Sequence, residues 1–191
     1  MLPRLQQIPE LSPVVSDYLQ QLKNQHFEGD IASHYADRLS LATDNSVYQQ
    51  LPQAILFPKT VADVVRITKL AQQEKFQALT FTPRGGGTGT NGQSLNNNII
   101  VDLSRHMTQI LELNVEQRWV RVQAGVVKDQ LNQYLKPYGL FFSPELSTSN
   151  RATIGGMINT DASGQGSLKY GKTSDHVLGL RSVLMLSLIH I

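Results

Sequence analysis

The chain has 191 residues, seventeen basic and fifteen acidic side chains for a formal net charge of +2, 40% hydrophobic residues and no cysteine. That length sustains one ordinary domain plus an extension, and the composition excludes a disordered or low-complexity protein. Scattered lysines and arginines leave no electrostatic footprint for nucleic acid, and the missing cysteines exclude disulfides, thiolate metal sites and Cys-ligated iron–sulfur clusters within these residues.

The first residues, MLPRLQQIPELSPVV, lack the basic stretch and apolar core of an export signal, so a cytoplasmic protein is expected. Residues 13–25 place Val14, Val15, Tyr18, Leu19 and Leu22 at helical spacing, and 34–41 suggests a second short helix. AILF at 54–57 reads as a strand. Thr60 then caps a helix over 61–74. Strands follow at 78–82 and 98–104, and a hairpin pairs 110–114 with 119–125, with Trp119 expected on the sheet. A helix over 128–136 stops at Pro137 and Gly139. The final fifteen residues, VLGLRSVLMLSLIHI, are too short and too polar to span a bilayer and read as a buried strand. Hairpins mixed with crossovers make the fold α+β.

Between two of these strands lies PRGGGTGTNGQ, residues 83–93, with five glycines in the eight positions 85–92. Gly87, Gly89 and Gly92 spell a dinucleotide fingerprint, but QSLNNN (93–98) leaves no room for the helix whose amino end would hold a pyrophosphate, and Asp102 lacks a Rossmann setting. A phosphate-binding NTPase loop fails because Gln93 stands where its lysine belongs. A plain hairpin turn would not need so many glycines, each of which costs backbone entropy. An anionic or flat ligand against this backbone, met by a nest of N–H groups and by Arg84, explains them better.

A second stretch of the same character, residues 143–180, combines Ser147, Thr148 and Ser149 with Gly155, Gly156, Asn159, Gly164, Gly166 and Gly171, with a capped helix expected near 153–160. Two such stretches point to one extended ligand contacted twice. The five histidines show no metal-ligand spacing, and Asp161, Ser163 and His176 lack the G-x-S-x-G elbow of a hydrolase.

PRGGGTGTNG followed by PELSTSNRATIGGMINTDASGQGSLKYGKTSDHVLGL resembles the FAD-binding domain of FAD-linked oxidases, the PCMH-type fold shared with vanillyl-alcohol oxidase and p-cresol methylhydroxylase. Within that group it is most similar to the first part of the long bacterial FAD-dependent D-2-hydroxyglutarate dehydrogenases, which carry a C-terminal iron–sulfur module. The resemblance implies two α/β subdomains truncated at the C-terminus: a helical extension over 1–50, an incomplete FAD-binding domain over 51–185, and a foreign tail over 186–191. It implies that Arg84, Gly85, Gly86, Gly87, Thr88, Gly89 and Thr90 form the first pyrophosphate loop. Pro144, Thr148, Ser149, Ile154, Gly155 and Asn159 would follow the FAD toward the flavin, with Gly164, Tyr170, Gly171 and Val177 closing that segment. Some relatives attach the flavin through a histidine where Thr88 stands, so non-covalent FAD is implied. It further implies hydride transfer from a D-2-hydroxy acid, D-2-hydroxyglutarate or D-lactate, to the flavin. The electron acceptor, catalytic residues, metal-binding histidines and iron–sulfur cluster would lie outside this chain, with no integral membrane segment and a location in the cytoplasm or at the inner-membrane periphery. A reductase of the UDP-N-acetylenolpyruvylglucosamine type and a non-catalytic nucleotide-binding fragment are the alternatives.

Overall fold

The computed structural model describes residues 10–185 and 189–190. Helix α1 (Pro13–Asn24) begins where Ser12 accepts from the Val15 N–H, and it buries Val15, Tyr18, Leu19 and Leu22. After β1 (Asp30–Ala32) and the short α2 (Tyr35–Ser40) comes β2 (Ala54–Phe57), then α3 (Val61–Ala71). Thr60 and Asp63 cap α3 reciprocally, each side chain accepting from the other's backbone N–H. The helix ends three residues before the expected Glu74, where a 3-10 turn over Glu74–Phe76 drops Phe76 into the core.

Strands β3 (Phe81–Arg84) and β4 (Ile99–Asp102) complete a four-stranded sheet in the order β1-β2-β4-β3. β1 is antiparallel to β2, while β2 and β3 both run parallel to β4, with Ile55 opposite Ile100 and Arg84 opposite Asp102. All four residues of β2 and of β4 are buried, as central strands covered on both faces require. Ala54, Leu56, Ile99 and Val101 face α1 and α3, and Ile55, Phe57 and Ile100 face Ala32 and Leu41. β3 begins three residues later than expected because Leu79 plugs the core from a turn, its N–H donating to Phe76 O. Pro83, which has no N–H, is tolerated because β3 is an edge strand. The connection from β3 to β4, residues 85–98, contains no helix. Asn96 threads it back by accepting from Thr80 Oγ1 (3.0 Å) and donating to Thr82 Oγ1 (2.9 Å).

The second half builds its own core. Strands β5 (Ile110–Asn114) and β6 (Trp119–Val122) form the expected hairpin, and α4 (Lys128–Leu135) and α5 (Ile154–Asn159) pack with it around Val126, Leu131, Leu135, Ala152, Ile154 and Met157. Val120 and Val122 face this core, so Trp119 lies on the other face of the hairpin, half-buried, with Arg121 over its ring and its Nε1 donating to Gln117 (2.8 Å). Regular pairing of β6 ends at Val122; Gln123 and Gly125 still donate to Gln109 O and Met107 O across the hairpin, while residues 124–127 also run beside 153–155.

Helix α6 (Ser167–Tyr170) and a hairpin of two residues per strand, β7 (Ser182–Val183) with β8 (Ile189–His190), end the described chain. Among the described residues of the expected buried terminal strand, the large apolar side chains are mostly exposed. Leu178 is 83% exposed and Leu180, Leu184 and Met185 are also exposed, because only two residues pair on each side. Residues 186–188 and 191 of the expected foreign tail lie outside the described residues. Among the described residues no helix is long and apolar enough to cross a membrane.

Candidate functional site

Residues 85–90 leave β3 at its carboxyl end, and the first two of them, Gly85 and Gly86, lie directly on Thr153 and Arg151. A Cβ on Gly85 would overlap Thr153 Oγ1, and one on Gly86 would overlap Arg151 O. Neither obstacle can step aside cheaply. Thr153 Oγ1 caps α5 by accepting from the Gly156 N–H, and Arg151 is held by an N–H bond to Thr148 O at 2.9 Å. Glycine is therefore required at 85 and 86 by close approach of two backbones. Gly87, at φ +61°, then turns the chain in a conformation other residues resist.

Among the described residues, none of the six N–H groups from Gly85 to Thr90 donates a hydrogen bond, and neither do those of residues 147–150. Unpaired main-chain donors in a row are a nest for an anion, since their dipoles converge on whatever oxygen approaches. Asp102, which imitated a ribose-binding acid in the sequence, is turned onto its own corner, where it accepts from Ser104 N and Oγ (2.8 and 2.7 Å).

The second segment is fixed to α4 and to the strand-like run before it. Asp129 N–H donates to Ser149 O and Ser149 Oγ donates to Asp129 Oδ2 (3.1 Å). Ile154 N–H donates to Val126 O and Gly155 N–H to Ala124 O, with Gly155 pressed against Ala124. Of the expected site residues, Gly85 and Gly86 pack directly on Thr153 and Arg151, which lie between Thr148 and Ser149 on one side and Ile154 and Gly155 on the other along the chain. Asn159 sits exposed at the far end of α5.

Pro144, Gly164, Tyr170, Gly171 and Val177 gather in a separate knot. Gly164 and Gly166 pack on Glu145, the Tyr170 ring meets Phe141 edge-on (5.7 Å), and Gly171 lies against Asp175. His176 Nε2 is within 2.6 Å of Tyr170 O and 3.1 Å of Ser143 Oγ. Among the described residues no hydrogen bond joins this knot to the glycine loop. The rejected hydrolase triad stays rejected: Asp161 accepts from Ser174 N and Lys172 Nζ, and those bonds hold its carboxyl below the usual carboxylate range.

Several residues that shape the site gave no sequence signal. Arg151 and Thr153 face the glycine loop, and a strap over residues 41–48 crosses it. Asp44 accepts from Ser94 Oγ (2.9 Å) across fifty positions of sequence. No group of three or more histidine or acidic side chains able to hold a metal is found among the described residues. A shallow groove of about 420 Å³, lined by Val61, Val65, Arg66, Lys69 and Arg181 among others, lies on the outer face of α3 and shares no residue with the glycine loop.

A family model described as FAD binding domain matches residues 52–188. The chain belongs to that family. The chain is similar over 185 residues to the D-2-hydroxyglutarate dehydrogenase of Haemophilus influenzae, at 80% identity, and to that of Escherichia coli, at 66%. Each alignment covers 97% of this chain and 18% of the relative, so the chain spans under a fifth of the length of these proteins. A solved alkyldihydroxyacetonephosphate synthase superposes on 96% of the chain and 36% of its own with a TM-score of 0.79 at 20% identity, which shows the shared fold. The donor set fits the family's cofactor: a dinucleotide diphosphate needs free main-chain N–H donors and room for close backbone approach, and residues 85–90 supply unpaired donors with glycines at the points of closest approach.

Proposed function

We propose that this chain is the FAD-binding part of a flavoprotein dehydrogenase that oxidises a D-2-hydroxy acid, D-2-hydroxyglutarate before D-lactate. The observation that carries the reading is the packing of the donor-rich loop 85–90 on residues 151–153, which sets two main-chain donor stretches side by side. The N–H groups of residues 85–90 hold the diphosphate, with Thr88 and Thr90 at its edge. Thr148, Ser149, Ile154, Gly155 and Asn159 carry the contact along the cofactor, and the knot of Pro144, Gly164, Tyr170, Gly171 and Val177 closes that side. Bound FAD supplies the acceptor for the hydride leaving the substrate's α-carbon. Thr88 offers no ring nitrogen for a covalent link to the flavin, so the cofactor dissociates.

The names and high identity of the relatives support the choice of substrate class. No catalytic residue is assigned within the chain, and the electron acceptor is left to sequence outside it. The test is the whole protein that contains this chain, purified and scanned for flavin absorbance. Acid precipitation should release the flavin into the supernatant, and D-2-hydroxyglutarate should bleach the holoprotein under anaerobic conditions. A colourless protein, or flavin that stays with the pellet, contradicts the cofactor reading. Bleaching by D-lactate alone contradicts the substrate.

A further inference from the structure

Arg84 is the charged side chain nearest the glycine loop in sequence, yet its guanidinium is committed elsewhere. Nη2 donates to Thr43 O (2.8 Å) and Nη1 to Leu41 O (3.3 Å), and the group lies close under Gly87. Three further contacts fasten the same strap to the same loop. Asn45 N–H donates to Gly87 O (3.1 Å), Ser94 Oγ donates to Asp44, and the Tyr48 ring packs beside Gly92. Partial burial lowers the Arg84 pKa against the opposing pull of Asp102 and Asp44.

Resting on the FAD reading above, we propose that Arg84 is a positioning residue whose guanidinium bolts residues 41–45 across the glycine loop, so that the N–H groups of 85–90 are preset for the diphosphate. It does not itself bind the phosphate. Two directed bonds to carbonyls need the planar fork of arginine, which lysine cannot reproduce although it keeps the charge. A phosphate ligand would behave oppositely, since an ammonium at the same place retains most of the attraction.

The test titrates the apo form of the whole protein with FAD and follows amide exchange at Asn45 in the absence of cofactor. Arg84→Gln and Arg84→Lys should each raise the FAD Kd about tenfold, the loss of roughly one charge-assisted hydrogen bond. Ser94→Ala should raise it about threefold, and the Arg84→Gln/Ser94→Ala double variant should fall short of the product because both changes loosen one strap. The dependence of Kd on salt should match that of the unaltered protein, and Asn45 should exchange about tenfold faster in each variant. Near-normal affinity in Arg84→Lys, fully multiplicative effects or a flattened salt dependence would make Arg84 a phosphate ligand and overturn the proposal. Unchanged Asn45 exchange would overturn it as well. If the unaltered protein takes up no FAD the cofactor reading fails, while the exchange measurement still decides whether Arg84 holds the strap.

Discussion

Gly85 shows how little room a single position leaves. An alanine methyl there would enter the space of Thr153 Oγ1, which cannot rotate away without uncapping α5. Gly85→Ala should lower the unfolding free energy by about 1–3 kcal/mol, the usual range for overpacking, as read by urea denaturation. Thr153→Ala alone should cost about 1 kcal/mol for the lost cap, and the double variant should cost less than the sum because the clash has gone. Asp63 is a second such residue. Fully buried, it accepts from Glu28 N, Lys59 N, Thr60 N and Arg66 Nη1 at 3.0–3.2 Å. Asp63→Ala strands all of them and should cost about 3 kcal/mol by the same measurement. The local half of that role was legible, since Thr60 at the start of an apolar period announces a cap. The reach from Asp63 to Glu28 was not, because it depends on how β1 returns beside α3.

At the scale of elements, α1 is docked on α3 by Tyr18, whose hydroxyl donates to Ile67 O (2.9 Å) and whose ring meets Phe76 edge-on at 5.1 Å. Burial pushes the phenol's pKa well above its ordinary value, so it stays a neutral donor. The strap is held differently, through a carboxylate. Partial burial alone would raise the pKa of Asp44, but hydrogen bonds from Ser46 and Ser94 and the charge of Arg84 outweigh it and lower it below 3.8. A depressed folded pKa means that Asp44 contributes fully above the ordinary carboxylate value, and that the contribution is lost as pH falls below 3.8 toward the folded value. Urea midpoints measured from pH 6 down to pH 3 should therefore drop less steeply in Asp44→Asn than in the unaltered protein. α1, β5 and α4 were readable because one face of each meets the core, and β2 and β4 because they are short unbroken apolar runs buried on both faces. The edges of β3 and β6 were not, since they are set by partners: β4 extends β3 to Arg84, and residues 153–155 bond the 124–127 run that follows β6.

Across the whole molecule, two hydrophobic cores stand side by side, one around the four-stranded sheet with α1 and α3, the other around β5, β6, α4 and α5. The glycine loop belongs to the first and residues 148–156 adjoin the second, so a ligand held by both should couple them. FAD at one hundred times its Kd should add about 2.7 kcal/mol to the unfolding free energy, and riboflavin, which lacks the diphosphate, much less. The two segments could be paired from their composition and order alone. Their actual contact, Gly85 on Thr153 and Gly86 on Arg151, could not, because nothing local in either stretch names the other.

The most direct test of that pairing is amide exchange in the whole protein with and without FAD. Binding should slow exchange at residues 85–90 and 147–150 together, and riboflavin should slow neither. Protection of one stretch without the other, or equal protection by riboflavin, would contradict the claim that both close on a single diphosphate.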